Sequence, residues 1–557
     1  MKVSYMETDV LIIGGGSAGS MAAIRLKELN RDQKVTIFEK ANIKFSGSIP
    51  RGMDALNIVT VPGINTAEDY IEAQNIACEG VLDEAPSYVM AKRSWELMKE
   101  LQSWGVFFPT DKAGNYEVLK TTPKGRFTVT MREPNLKTIL HDRFTKLGCT
   151  VVNHTMALQL LVDNGHVAGA VGFNIRTGEL IVCHAKAVIL SAGGTARFGL
   201  PENGYLYGNY DCPANTGDAY SLAYRAGAEL TGLEYTLRYY IVKDINCPLL
   251  YITLTRGAKL LNAIGEEVGG DHPGIKNMFD EHYDKGLGYL RIRMSHLPVE
   301  KIEAVEDILF STEKPVLQRY FEGKGVNFRN RDIELGPTDM YLCGGHGITG
   351  VVVDTGAAST VPGLYAAGDS ANVNRGHLTG AFVFGQLAAE SATEYIKGIS
   401  SRQCDPAPYI AEITEKCQVM EENQGFVSIE EFEYKTRRTI TDYLTPPKNE
   451  YKLSRAVEIM REMKKALPRH VKVSRTHDLW KAFEVENIID CAILSATASM
   501  ERKESRWGYW HHRADYPKTD PAYTKLLIVK RGSCDDDVTT RLREPDKSIS
   551  LKGGNQQ

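Results

Sequence analysis

Apolar residues near the start of the chain change rhythm twice within forty positions. Val10-Leu11-Ile12-Ile13 is a continuous apolar run, residues 20–29 carry apolar side chains at helical spacing, and Val35-Thr36-Ile37-Phe38 is apolar again. Short continuous runs bounded by turn signals read as buried strands, and the longer periodic stretch reads as a helix. The pattern therefore predicts strand, helix, strand. Two later runs, Ala187-Val188-Ile189-Leu190 and Leu364-Tyr365-Ala366-Ala367, each stop at glycine and predict further strands of the same parallel sheet. Short strands alternate with turns over 150–185, and a helix is expected at 219–226, capped by Asn215 or Thr216 and closed by Gly227. A small-residue helix follows at 380–390.

Rhythm also divides the chain. Aromatics, short strands and turns dominate 232–340, which reads as an inserted α+β domain. Beyond 405 the chain reads as helices with charged faces, such as 455–464, and Gly553 to Gln557 should be disordered. The expected organisation is α/β: residues 1–231 and 341–404 form one split domain, 232–340 an inserted domain, and 405–557 a helical C-terminal domain.

The junction between the first strand and helix carries the chemistry. Gly14, Gly15, Gly16, Ser17, Ala18 and Gly19 lie there, and Glu39 ends the second strand twenty residues after Gly19. Gly14 allows a tight turn, Gly16 lets a pyrophosphate approach the backbone, and Gly19 lets the helix pack on the strand. The helix N-terminus offers unpaired N–H groups to phosphate, and Glu39 can accept from a ribose. A dinucleotide site is the reading. The spacing recurs at Gly345-His346-Gly347-Ile348-Thr349-Gly350, but that copy precedes an apolar run instead of following one, so it is read as a loop entering a strand.

Composition narrows the class. The 557 residues are 43% hydrophobic and 24% charged with a net charge of -4, giving no basic stripe for nucleic acid. No apolar run approaches the ~18 residues of a membrane helix, and Glu7 and Asp9 break any early signal-like core. Ten cysteines are scattered without a Cys-x-x-Cys pair, so no iron–sulfur or structural metal site is expected, and reduced cytoplasmic thiols are the plain reading.

With these blocks assembled, the chain resembles the flavoprotein subunits of the fumarate reductase/succinate dehydrogenase superfamily, and within it the alpha subunits of adenylylsulfate reductases. The resemblance rests on the first glycine motif, Ser46-Gly47 with Gly52 and Ala55-Leu56-Asn57, Thr216-Gly217-Asp218, residues 225–229, Asn262 to Glu266, Gly363 to Asp369, Glu504-Ser505-Arg506 and Asp515-Tyr516-Pro517. It implies a split Rossmann-like FAD-binding domain, a mobile cap and a helical C-terminal domain. FAD would contact Gly14, Gly16, Ser17, Ala18, Gly19, Glu39, Lys40, Ser46, Gly47, Ala192, Gly193, Asp218, Gly368 and Asp369. Relatives that attach FAD covalently do so through a histidine in the segment after Glu39. Phe45-Ser46-Gly47-Ser48 has none, so FAD should be noncovalent.

The resemblance places substrate between flavin and cap, with Asn57, His346, Arg256, Arg375, His377 and Arg238 as candidate catalytic residues. Guanidinium and imidazole suit a small anion. One departure bears on substrate: the register puts Ile241 where the adenylylsulfate reductase pattern has a cap arginine, flanked here by Arg238 and Lys243. His511-His512 is read as structural. The expected protein is the flavin-bearing part of a reductase for a small anionic substrate, an adenylylsulfate-like sulfur oxyanion or a dicarboxylate or enoate, in a hetero-oligomer with a ferredoxin-like partner that holds the iron–sulfur clusters. A genuine adenylylsulfate reductase and a stand-alone oxidase of the L-aspartate oxidase type remain open.

Overall fold

The computed structural model describes residues 1–120, 125–202, 211–245, 247–269, 278–400, 404–423, 425–534 and 536–550. The terminal residues Gly553 to Gln557 lie outside them.

The apolar runs build the central sheet. Val3–Ile13 pairs in parallel with Val35–Glu39 on one side and Leu180–Leu190 on the other, and Thr150–Asn153 extends the first side. His166–Asn174 and Thr155–Asp163 continue antiparallel beyond Leu180–Leu190, and Leu364–Ala366 pairs in parallel with the last residues of that strand. Val10, Leu11, Ile12, Val188, Ile189 and Leu190 are fully buried, as strands covered on both faces require. Helix Ser17–Leu29 packs against helix His377–Tyr395, whose alanines and glycines let the two approach closely. The helix expected at 219–226 spans Asp218–Arg225. Its cap is Gly217 in a left-handed conformation, not Asn215 or Thr216; the Thr216 hydroxyl bonds the Asp218 carboxylate instead.

The segment between these halves has its own core. Tyr240–Val242, Ile333–Pro337, Leu290–Arg293 and Lys259–Leu261 form an antiparallel sheet over a cluster that includes Phe279, Ile292, Val305 and Leu309. A second small sheet, Met53–Asn57 with Phe127–Glu133 and Val118–Lys120, stands beneath this cap. Four long helices, Ala407–Glu422, Ile429–Leu444, Glu450–His470 and Thr476–Glu501, make up most of the C-terminal region. The expected helical domain is present, and it ends in strands. Leu526–Arg531 and Val538–Arg543 form a hairpin, and Leu526–Arg531 also pairs with Leu230–Thr231, where the cap segment leaves the first domain.

Candidate functional site

The glycine turn, the cap and the loops before helix His377–Tyr395 meet around a cavity of about 500 Å³. Its floor is the first glycine motif. Gly14 has φ +98, and a Cβ on it would lie 2.5 Å from the Ser191 carbonyl oxygen; a Cβ on Gly19 would lie 2.0 Å from the Gly14 carbonyl oxygen. A Cβ on Gly16 would meet no heavy atom within 4 Å. Two glycines are therefore required by the protein's own packing, whereas the third leaves room for a ligand. Gly16 precedes helix Ser17–Leu29, whose first turn holds no acidic residue, so its N-terminal dipole and N–H groups face the cavity uncompensated. At the end of the second strand, the Glu39 carboxylate accepts from the Gly15 and Ala41 N–H groups, both at 2.8 Å, and is fixed at the cavity edge. These features fit an extended FAD.

Lys40, also on the wall, is committed elsewhere. Its ammonium lies 2.7 Å from Asp218 Oδ2 and 2.8 Å from Glu484 Oε1 and donates to Thr216 Oγ1. Burial disfavours that charge, yet the two carboxylates more than offset it and hold the lysine protonated. Glu484 is itself fully buried and is also paired with Arg197 and Lys481. Ser46, Gly47, Ala192, Gly193, Gly368 and Asp369 complete this side. Burial, with Asp211 close by, pushes the Asp369 carboxyl up to about 7.

The other end of the cavity brings together Asn57, Arg126, His346 and His377. Two loops interlock to present the imidazoles. Arg375 and His377 have φ of +54 and +49, a strained region for residues with side chains. Backbone bonds from Arg375 N to Gly347 O at 2.8 Å and from His377 N to Gly345 O at 3.0 Å hold them there. The His346 and His377 rings stand edge to face with centroids 4.9 Å apart. His377 bonds the Arg126 guanidinium. Burial first, and then the Arg126 charge, push its imidazole well below the ordinary range, so it is neutral.

Three sequence candidates lie outside the cavity lining. Arg256 donates to the Ile252 carbonyl at 3.0 Å and stands 3.9 Å from Glu117. Arg238 is 2% exposed, pairs with Glu202 at 2.9 Å and stacks over Tyr283. The Arg375 guanidinium lies over the Trp510 ring behind the imidazoles. Ile241, fully buried, is paired with Gly336 in the cap sheet and does not line the cavity either. His511 is fully buried and faces the Arg502 carbonyl, a structural setting.

The sequence reading missed Arg126, Asp211, Glu484 and the cap wall. That wall consists of Tyr239, Tyr240, Leu250, Tyr251 and Leu254, and the Tyr251 hydroxyl donates to Asp54 beneath it. None of these residues sits in a motif; only the fold assembles them.

A strand–glycine–helix floor under a lid and an imidazole–guanidinium pocket define a flavin-dependent oxidoreductase. Family models agree: an FAD binding domain matches residues 9–237, and a fumarate reductase flavoprotein C-terminal domain matches 434–548. The chain belongs to the fumarate reductase/succinate dehydrogenase flavoprotein superfamily, and FAD is its cofactor. It is 25% identical to an uncharacterised FAD-dependent oxidoreductase of Methanocaldococcus jannaschii, over 94% of this chain and 96% of that one. It is 24% identical to one chain of the fumarate reductase (CoM/CoB) of Methanothermobacter marburgensis, over 95% and 98%. Adenylylsulfate reductase from Archaeoglobus fulgidus shares the fold, with a TM-score of 0.89, 22% identity and coverage of 98% and 97%. Among the described residues, no helix is long and apolar enough to cross a membrane.

Proposed function

We propose that this chain is the noncovalent FAD subunit of a cytoplasmic hetero-oligomeric reductase that takes electrons from an iron–sulfur partner and reduces a substrate with one anionic end. FAD, when bound, supplies the two-electron chemistry. The observation that carries the substrate reading is the distribution of charge around the cavity. Among the described residues, its basic lining groups are Lys40, already committed to two carboxylates, and Arg126, His346 and His377, gathered at one end. The cap side presents tyrosines and leucines, with Asp54 and Glu313 among them. Arg126 suits bidentate contact with an oxyanion, and His346 and His377 lie beside it. An uncharged ring-sized body fits against the tyrosines, whereas a second carboxylate there would meet like charge.

This reading disfavours a symmetric dicarboxylate. It leaves adenylylsulfate in contention, because Ile241 does not face the cavity and an adenine is ring-sized. The test supplies reduced viologen as electron donor and compares fumarate, adenylylsulfate and a monocarboxylic enoate with an aromatic arm. Fumarate turning over fastest overturns the proposed polarity. Within the active pair, Arg126→Ala and His346→Ala should each lower kcat/KM by ~10²-fold, the scale of losing one preorganised electrostatic donor. Arg256→Ala should leave the rate within a few-fold of wild type, since Arg256 lies off the cavity.

A further inference from the structure

The His346 loop has a buried partner that no motif reveals. Asp211 is 5% exposed, lines the same cavity, and places Oδ2 3.7 Å from His346 Nδ1. Cys343 Sγ lies 3.8 Å from the same nitrogen and accepts from the His346 backbone N–H at 3.4 Å. Both contacts sit on the Nδ1 edge of the ring. The residue itself lines the cavity. Other groups beside the ring include His377, held neutral, and Tyr239, whose ring centroid is 6.3 Å away. Arg126 and Arg375 lie beyond His377, and Asp369 lies against Gly345. Asp211 thus places a carboxylate at ion-pair distance from this imidazole.

We propose that Asp211 is a positioning residue. It keeps the His346 proton on Nδ1, favours the imidazolium form, and so equips Nε2–H to give a proton to the substrate as two electrons reach it. This inference rests on the reading of His346 as a substrate-facing group. The step balances within the named groups. The N–H bond at Nε2 breaks, a bond forms between that proton and the substrate atom that has gained the electron pair, and His346 is left neutral until solvent reprotonates it. A carboxylate within ~4 Å favours the charged form of its partner, and an oriented imidazole acid contributes ~10²- to 10⁴-fold. His377, neutral and next to a guanidinium, is not suited to that donation; it fits an orienting or accepting role.

The experiment compares Asp211→Asn, Asp211→Glu, His346→Ala and the double variant Asp211→Asn/His346→Ala. Each is measured for bound FAD, for the pH profile of viologen-driven kcat/KM, and for the histidine ring signals of ¹³C-labelled apoprotein across pH. Asp211→Asn should lose ~10²-fold in kcat/KM, keep its FAD, and move the alkaline limb about one unit toward lower pH, because losing the carboxylate weakens the proton's hold. The ring signal missing from His346→Ala should shift its titration in the same direction. The double variant should be no worse than His346→Ala alone, since Asp211 acts through that ring. Asp211→Glu should recover part of the rate.

An unmoved limb and titration in Asp211→Asn overturn the proposal even if the rate falls, since a purely structural loss would leave both in place. Losses that multiply in the double variant overturn it too. Full activity in His346→Ala instead removes the underlying reading of the site. If Asp211→Asn does not fold, the Asp211→Glu profile decides, and an unchanged limb there with loss of rate counts against the dyad.

Discussion

The chain contains the same glycine spacing twice, at Gly14–Gly19 and at Gly345–Gly350, and the fold uses the two copies in opposite ways. In the first, Gly16 opens onto empty space in front of a helix N-terminus, so its missing side chain serves a ligand. In the second, every glycine is pressed against protein. A Cβ on Gly350 would lie 2.3 Å from the Ala371 carbonyl carbon, and one on Gly347 would lie 2.7 Å from the Cys343 oxygen. That copy packs two loops together so that His346 and His377 meet edge to face. Glycine in a motif therefore has two separable meanings: room for something absent from the sequence, or room for the chain itself. Context decides between them, because a glycine turn that follows a strand and opens a helix points its amides outward.

The largest effect should come from Gly16→Val. A branched side chain there fills the pyrophosphate's approach, and its Cβ meets no heavy atom within 4 Å. Flavin absorbance of the purified protein should be lost, with the apoprotein's melting temperature unchanged. A large drop in that temperature would show that Gly16 is packed like its counterparts and would break the comparison. Next comes Gly350→Ala, which collides with backbone at Ala371 and Asn372. Overpacking of this kind costs ~1–3 kcal/mol, read as a lower midpoint in denaturant with flavin stoichiometry retained in the folded fraction.

A further test probes the second segment electrostatically. Burial, reinforced by Asp211, raises the Asp369 carboxyl from 3.8 to about 7. A carboxyl whose pKa is raised on folding contributes stability that is full below its unfolded pKa and is lost as pH rises through the folded one. Apoprotein stability should therefore fall from about pH 4 to pH 7 more steeply in wild type than in Asp369→Asn. Parallel curves for the two proteins would contradict this.

The legible parts were those written locally. Val10–Ile13, the glycine turn, helix 17–29 and Glu39 are adjacent in sequence, and each follows from periodicity and turn chemistry. The seam at Leu230–Thr231 was illegible for the converse reason: its strand partner lies at Leu526–Arg531, and nothing in either segment encodes the other. Arg256 and Arg238 were reasonable candidates as cap arginines, yet side-chain direction on a short helix or strand end cannot be read without neighbours. Arg256 folds back onto its own helix carbonyl, and Arg238 turns to Glu202. Arg126 and Asp211 reach the pocket from irregular segments with no periodic signature.

One contact at the floor of the cavity also bears on how the molecule comes into being. Lys40 is balanced by Glu484, a residue 444 positions later, and by Asp218, and the two carboxylates together offset the burial of its ammonium. A nascent chain that has emerged only through its sheet and cap holds the glycine turn but lacks half of this counter-charge. Flavin capture is accordingly the business of the finished polypeptide: the last long helix must dock before the nucleotide pocket has a settled floor. Truncations before Thr476 should yield colourless protein even though every glycine of the nucleotide turn is present.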